Sequence, residues 1–375
     1  MRRWLKNVWF LSIKELRSLS TDYILLAIIV FVFTGAVYSI ATGVSLEVRN
    51  ASIAVLDHDH SGLSFRVREA LREPYFKTPV EIQAEEANRL MDDGTYVFIL
   101  DIPPEFERDV LAGRKPQVQL LIDATAMTQA GVGLVYIQQI FNREISAFTN
   151  QPGIEQLLPI KPVINIMFNP NNTTAWFTSV MQVVNMITLL AMILVGAAVI
   201  REREHGTIEH LLVMPVGASE IAFSKVFAND FVILIASLLS LWFVVHQWIG
   251  VPISGSLWLF AFGTVLYLFS ISSLGIFLAT VAPTMPQFGL LILPVYAVSQ
   301  LLSGSTSPRE NMPDVLQLLT QYWPMTQFAE FSQNILYRGA GWGIVWPQLV
   351  AMSLTGVAFM WVAILQFRSM LSRQG

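Results

Sequence analysis

The chain has 375 residues, of which 54% are hydrophobic and 13% charged, and its mean hydropathy is +0.54. An ordinary soluble domain has about a quarter of its residues charged, so this composition excludes a free soluble protein and indicates a membrane protein. The net charge of -4 says little, because orientation depends on where Lys and Arg lie, and the absence of Cys excludes disulfides and thiol chemistry without identifying a compartment.

Residues 1–22 place Trp4, Leu5, Val8, Trp9, Ser12, Ile13 and Leu16 mostly on one helical face, with Arg3, Lys6, Lys14 and Arg17 over much of the rest. This is the pattern of a cytosolic amphipathic helix lying in the membrane interface; the plainer alternative is the charged flank of a signal anchor. The apolar run 23–43 is too long for a cleaved signal peptide and reads as an uncleaved first span.

Residues 44–172 have the only soluble composition in the chain. Strand-like segments at Ile53–Leu56, Val80–Gln83, Tyr96–Ile102 and Val118–Ile122 alternate with helix-like segments at Ser64–Leu71, Ala84–Asp93 and Pro103–Ala112. That order predicts a small α/β or α+β domain outside the membrane. The apolar positions Val132, Val135, Ile140 and Ile145 predict a longer helix over Thr128–Phe148, a candidate stalk back to the membrane. Asp57-His58-Asp59-His60 contains legitimate zinc ligands, but adjacent residues alternate in direction along an extended chain, so the segment reads as a turn into the next helix and no metal is expected.

Further spans are expected at 175–200, 221–249, 257–281, 288–302 and 343–367; the fifth is short and holds Pro294. Residues 303–342, with Pro308, Pro313 and Pro324, form a second outside segment with short amphipathic helices. Arg2, Arg3, Lys6, Lys14 and Arg17, then Arg201, Arg203 and Lys225, then Arg368 and Arg373 all flank spans on one side, which places both termini, the 201–220 loop and the 368–375 tail in the cytosol. The fold class that results is an α-helical polytopic membrane protein of about six spans with an α/β domain inserted between the first two.

The 201–220 loop has its own helical grammar. Ile208, Leu211 and Leu212 make a short apolar stripe beside Glu204, Glu209 and His210; Pro215 ends it, and Ser219-Glu220 reads as the N-cap and first turn of the next helix. The run resembles the cytosolic loop of type-2 permeases of ATP-binding-cassette exporters, whose pattern is E-x-G-T-[ILM]-E-x-L-[LM]-x-[ST]-P. Glu204, Gly206, Thr207, Ile208, Glu209, Leu211, Leu212 and Pro215 match it, with Met214 at the usual hydroxyl position. The resemblance covers nearly the whole chain. It implies a bacterial inner-membrane permease subunit whose loop couples it to a separate ATPase, with ATP and Mg on that partner and no cofactor on this chain. It also implies a second permease subunit, identical or paralogous, with the substrate passage between the two.

Within the spans, apart from Lys225 at the cytosolic start of the third, only Asp230 and His246 are acidic or basic, both toward the ends of the third with Asp230 close to Lys225, and no paired carboxylate, Ser/His set or metal-ligand set suits an intramembrane enzyme. The chain has no P-loop, and nothing points to nucleic acid. Gln182, Asn185, Thr188, Ser270, Ser272 and Ser273 are candidates to line a passage, with plain helix packing as the alternative. The competing function is a non-transporting receptor or scaffold whose outer domain binds a partner, and it differs in requiring no ATPase.

Overall fold

A computed structural model describes residues 2–43, 51–73, 75–123, 127–149, 173–204, 216–306, 309 and 312–372. They fall into two units, one combining Met1–Gly43 with Ala175–Gly375 and the other formed by Val44–Thr174. The chain opens with α1 (Arg2–Thr21). Asp22 then breaks the helix and caps α2 (Tyr23–Gly43) by accepting the Leu25 amide at 3.0 Å. A π-helical turn, Val32–Ala36, interrupts α2.

The Val44–Thr174 unit holds β1 (Ile53–Asp57), α3 (Gly62–Ala70), β2 (Val80–Glu81), α4 (Ala84–Asp92), β3 (Phe98–Ile102), α5 (Phe106–Leu111), β4 (Gln119–Ile122) and α6 (Met127–Thr149). The sheet order is β2-β1-β3-β4, parallel except for the β3–β4 pair. Side chains alternate across a strand, so Ile53, Val55, Phe98, Leu100 and Ile102 face one side, where α3, α5 and α6 pack through Leu63, Val67, Phe106 and Ile137. Ala54, Leu56 and Ile99 face the other side with Ala87 of α4. Helix α6 covers the sheet with Ile137, Ile140, Phe141 and Ile145, whereas Val135, expected on its apolar face, is exposed.

The first unit continues with α7 (Thr174–Glu204), α8 (Ala218–Trp248), α9 (Leu257–Val281), α10 (Met285–Leu302), α11 (Asp314–Thr320), α12 (Pro324–Leu336) and α13 (Trp342–Ser372). Among the described residues six helices are long and apolar enough to cross a membrane: α2, α7, α8, α9, α10 and α13. The fifth begins three residues before its expected start, with Pro286 in its first turn, where a missing amide costs nothing. Helix α8 also starts early. Its N-cap is Gly217 instead of Ser219, and Glu220 sits at the third helical position, where its Oε2 accepts the Gly217 amide at 2.6 Å.

Helix α7 is the central post of this unit, buried along most of its length, because small residues let its neighbours approach. A Cβ on Gly275 of α9 would lie 2.8 Å from the Met192 carbonyl oxygen of α7. The last nine residues of α8, Ser240–Trp248, are π-helical, and the Ser240 hydroxyl donates to the Phe33 carbonyl within the π turn of α2. The widened helical turns of two spans therefore meet at one hydrogen bond.

Candidate functional site

Of the eight loop residues singled out by sequence, Gly206, Thr207, Ile208, Glu209, Leu211, Leu212 and Pro215 lie outside the described residues. Glu204 is the last residue of α7, and its Oε1 accepts the Met285 amide at 2.8 Å, which places a carboxylate at the N-terminus of α10. Beside it the Arg203 guanidinium donates to the Ala282 carbonyl, just beyond the end of α9. The residues that enter the loop are thus tied to the α9–α10 junction.

The residues around the exit of the loop are tied differently. Helix α1 lies along the first turns of α8: Trp4 donates to Ser219 at 3.2 Å, Asn7 to Glu220 at 3.1 Å and Ser12 to the Ser224 carbonyl at 3.3 Å. The Trp4 and Phe223 rings meet edge to face. Positions 4, 8, 12 and 15 recur at helical spacing, so one stripe of α1 serves this contact. Leu5, Trp9, Phe10 and Ile13 remain exposed on another stripe, available to the membrane interface.

Lys225 closes the arrangement. It lies seven residues into α8 and is 1% exposed, and its Nζ sits 3.1 Å from Glu15 of α1 and 3.0 Å from Glu202 of α7. A lysine this deep in an apolar helix keeps its charge cheaply only beside acids, and two are supplied. The sequence signal was present, a lone lysine among Ala, Phe, Ser and Val. Its partners, however, stand 210 positions before it and 23 before it on two other helices.

The six candidate passage residues are all buried inside one chain. Thr188 shares a 2.5 Å hydrogen bond with Tyr267, whose ring stacks on Phe328 with centroids 4.0 Å apart. Ser270 meets Thr355 at 3.2 Å, Ser272 donates to Asp230 at 2.5 Å, and Ser273 donates to the Phe269 carbonyl at 2.6 Å. Gln182 and Asn185 are buried on α7. Thr188, Ser270 and Ser272 thus join neighbouring helices, Ser273 bonds within α9, and the Asn185 Oδ1 is buried without a hydrogen-bond partner. Asp230, expected near the end of its span beside Lys225, takes Ser272 as its partner, and Lys225 takes the two glutamates.

In the other unit Asp57-His58-Asp59-His60 forms a turn. One Asp57 oxygen accepts the Asp59 and His60 amides at 3.1 and 2.9 Å, and the other accepts the Ser64 hydroxyl at 2.7 Å. Ser61 caps α3. Asp59 accepts the Glu107 amide at 2.9 Å while Glu107 accepts the Leu63 amide at 2.9 Å, so each acid caps the helix of the other. Burial works to raise the Asp59 carboxyl, but hydrogen bonds from Ser61 and from the backbone of Glu107, Phe106 and Glu105 outweigh it and hold the group below its ordinary value. Among the described residues no three His, Cys, Asp or Glu side chains are placed to hold a metal ion.

Residues 20–365 match the family described as ABC-2 family transporter protein. The chain is 46% identical over 368 residues to the inner membrane transport permease YhhJ of Escherichia coli K12, covering 98% of each. It is 29% identical over 367 residues to the probable multidrug ABC transporter permease YbhR of the same organism, covering 94% of this chain and 96% of the relative. A more distant similarity, 23% over 265 residues, reaches ABC transporter G family member 20 of Dictyostelium discoideum, covering 68% of this chain and 36% of that protein.

Proposed function

Because the chain belongs to the ABC-2 transporter family and is the membrane permease subunit of an ABC transporter, we propose that its ATPase partner drives it through the 201–220 loop. The observation that carries this is the Glu202–Lys225–Glu15 cluster, which ties the helices on either side of the loop to each other and to α1. A push on the loop reaches α7 and α8 as a pair, because separating them would strand buried charge. Gly206, Thr207, Ile208, Glu209, Leu211, Leu212 and Pro215 form the docking segment in this reading, and Glu204 anchors its first end. ATP and Mg act on the partner.

In the same reading two permeases, identical or paralogous, enclose a passage for export. Gln182, Asn185, Thr188, Ser270, Ser272 and Ser273 hold each half rigid around that passage. The basic flanks put both termini and the loop in the cytosol of a bacterial inner membrane, with 44–172 and 303–342 outside. Since the chain has no native Cys, single cysteines test the orientation directly. A cysteine at Glu105 should react with an impermeant maleimide from outside and one at Ser18 should not; the reverse pattern would overturn it.

The coupling experiment replaces Glu209 with Lys and Leu212 with Asp in the assembled transporter. ATP hydrolysis stimulated by the permease should fall severalfold while membrane insertion is unchanged, since both residues lie outside the spans. Full stimulation by the double variant at normal expression would refute docking through this segment.

A further inference from the structure

Asp230 is an acid inside a span with no base facing it among the described residues. It stands about 18 Å along α8 from Ala218 and is half-buried. Its one polar partner among the described residues is the Ser272 hydroxyl of α9, which donates to Oδ1 at 2.5 Å. Lys225 is five residues back, about 140° around the helix, and its ammonium is held by Glu15 and Glu202. A serine hydroxyl steadies a carboxylate without balancing its charge. Ionisable groups inside a span are costly and mark ligand paths when they are kept, so the chain supplies an anion here and leaves the cation to arrive from elsewhere.

The second observation is aromatic. Phe227 stands three residues before Asp230, a neighbour on the same helical face, and Phe231 stands beside it; they are 51% and 53% exposed. The Phe223 ring lies one turn further back, 6.1 Å from that of Phe227, 6.0 Å from Phe269 of α9 and 5.2 Å from Trp4 of α1. Trp4, Phe223 and Phe227 therefore make a run of rings from the amphipathic helix to the turn before Asp230. Ring faces attract cations, more strongly where water is excluded.

The chemistry of this face narrows the ligand. The indole N–H of Trp4 is already given to Ser219, and the phenylalanines bring no hydrogen-bonding group, so a strongly hydrated ammonium would lose its water for little return. A metal ion would find the Asp230 carboxylate and the Ser272 hydroxyl, where calcium takes about six to eight oxygens. A cation whose charge is spread through an apolar body gains from both the rings and the carboxylate.

We propose that Asp230 is the recognition carboxylate for a lipophilic organic cation, received on the face that Phe223, Phe227 and Phe231 provide. This names a substrate class for the permease and rests on the reading of the chain as an export subunit. The rings accept the apolar body, the carboxylate selects the sign of its charge, and Ser272 holds the carboxylate toward α9.

The test uses the full chain in phosphatidylcholine nanodiscs, without ATPase or ATP. It is dialysed to equilibrium against tetraphenylphosphonium and, separately, against tetraphenylborate, an anion of the same shape, with empty nanodiscs subtracted. The phosphonium should bind saturably, one per chain, and the borate should not. Asp230→Asn, which keeps an acceptor for Ser272 and nearly the same volume, should weaken phosphonium binding about tenfold or more. Phe227→Leu, a change on an exposed face, should weaken it about threefold. Absence of saturable binding, equal binding of the borate, or unchanged binding in Phe227→Leu or in a folded Asp230→Asn would overturn the proposal. The measurement needs neither ATP nor the docking segment, so a failed coupling experiment leaves it standing. Saturable binding without ATP-driven movement of the phosphonium by the assembled transporter would overturn the substrate assignment.

Discussion

The Lys225 ammonium of α8 lies 3.0 Å from the Glu202 carboxylate of α7, at the level where both helices run into the 201–220 loop. With Glu15 on the other side of the ammonium, three helices share one buried cation.

Removing that cation should be costly. Lys225→Met leaves two carboxylates facing each other, and stripping one partner from a buried pair costs about 3–5 kcal/mol. The cost here is smaller, because the two glutamates are 15–16% exposed and partly screened. The thermal midpoint of the purified chain should fall, and the triple change Glu15→Gln, Lys225→Met, Glu202→Gln should recover most of the loss, since no charge is then stranded. A single variant as stable as the parent would show that the cluster adds nothing to the packing.

Gly275 should tolerate no large side chain. Its missing Cβ lets α9 approach the Met192 carbonyl of α7, so Gly275→Leu must force the two helices apart, a strain of about 1–3 kcal/mol or more. Gly289, around which a Cβ would meet nothing within 4 Å, is the matched control. Thermal unfolding in detergent should separate the two leucine variants, with only Gly275→Leu strongly destabilised.

Asp57 and its histidine neighbours should behave in opposite ways. Asp57→Ala leaves two turn amides without their acceptor and takes from the buried Ser64 hydroxyl the nearer of its two acceptors, at about 1–3 kcal/mol. His58 and His60 sit on the surface within 3.5 and 3.7 Å of Asp101 and Glu81, exposed pairs of little weight. Replacing both histidines with Asn should shift stability by no more than about 0.5 kcal/mol. Bound zinc in the purified chain, lost in that double variant together with stability, would contradict the turn.

Asp59 sets an acid limit on the same region. Its carboxyl is held below the ordinary 3.8 when folded, so its contribution is fully present above that value and is lost as pH falls through the folded pKa. Hydrogen exchange across residues 57–64 and 105–111 should therefore accelerate as pH drops below about 4, after correction for intrinsic rates. In Asp59→Asn this acid-dependent part should be absent.

Hydropathy alone located the six apolar helices, because a span must be long and apolar whatever it touches. The short apolar runs that open the strands Ile53–Asp57 and Phe98–Ile102 are likewise local properties that each segment carries by itself. What could not be read locally was the choice of partners. That α6 would lie on the sheet, that Glu15 and Glu202 would converge on Lys225, and that Asp230 would take Ser272 depend on surfaces brought together from distant parts of the chain. The same holds for the small polar residues of α7 and α9: a serine or threonine in a span is equally suited to a passage or to a neighbouring helix, and only the approach of a second helix, as at Gly275, paired Thr188 with Tyr267 and Ser272 with Asp230.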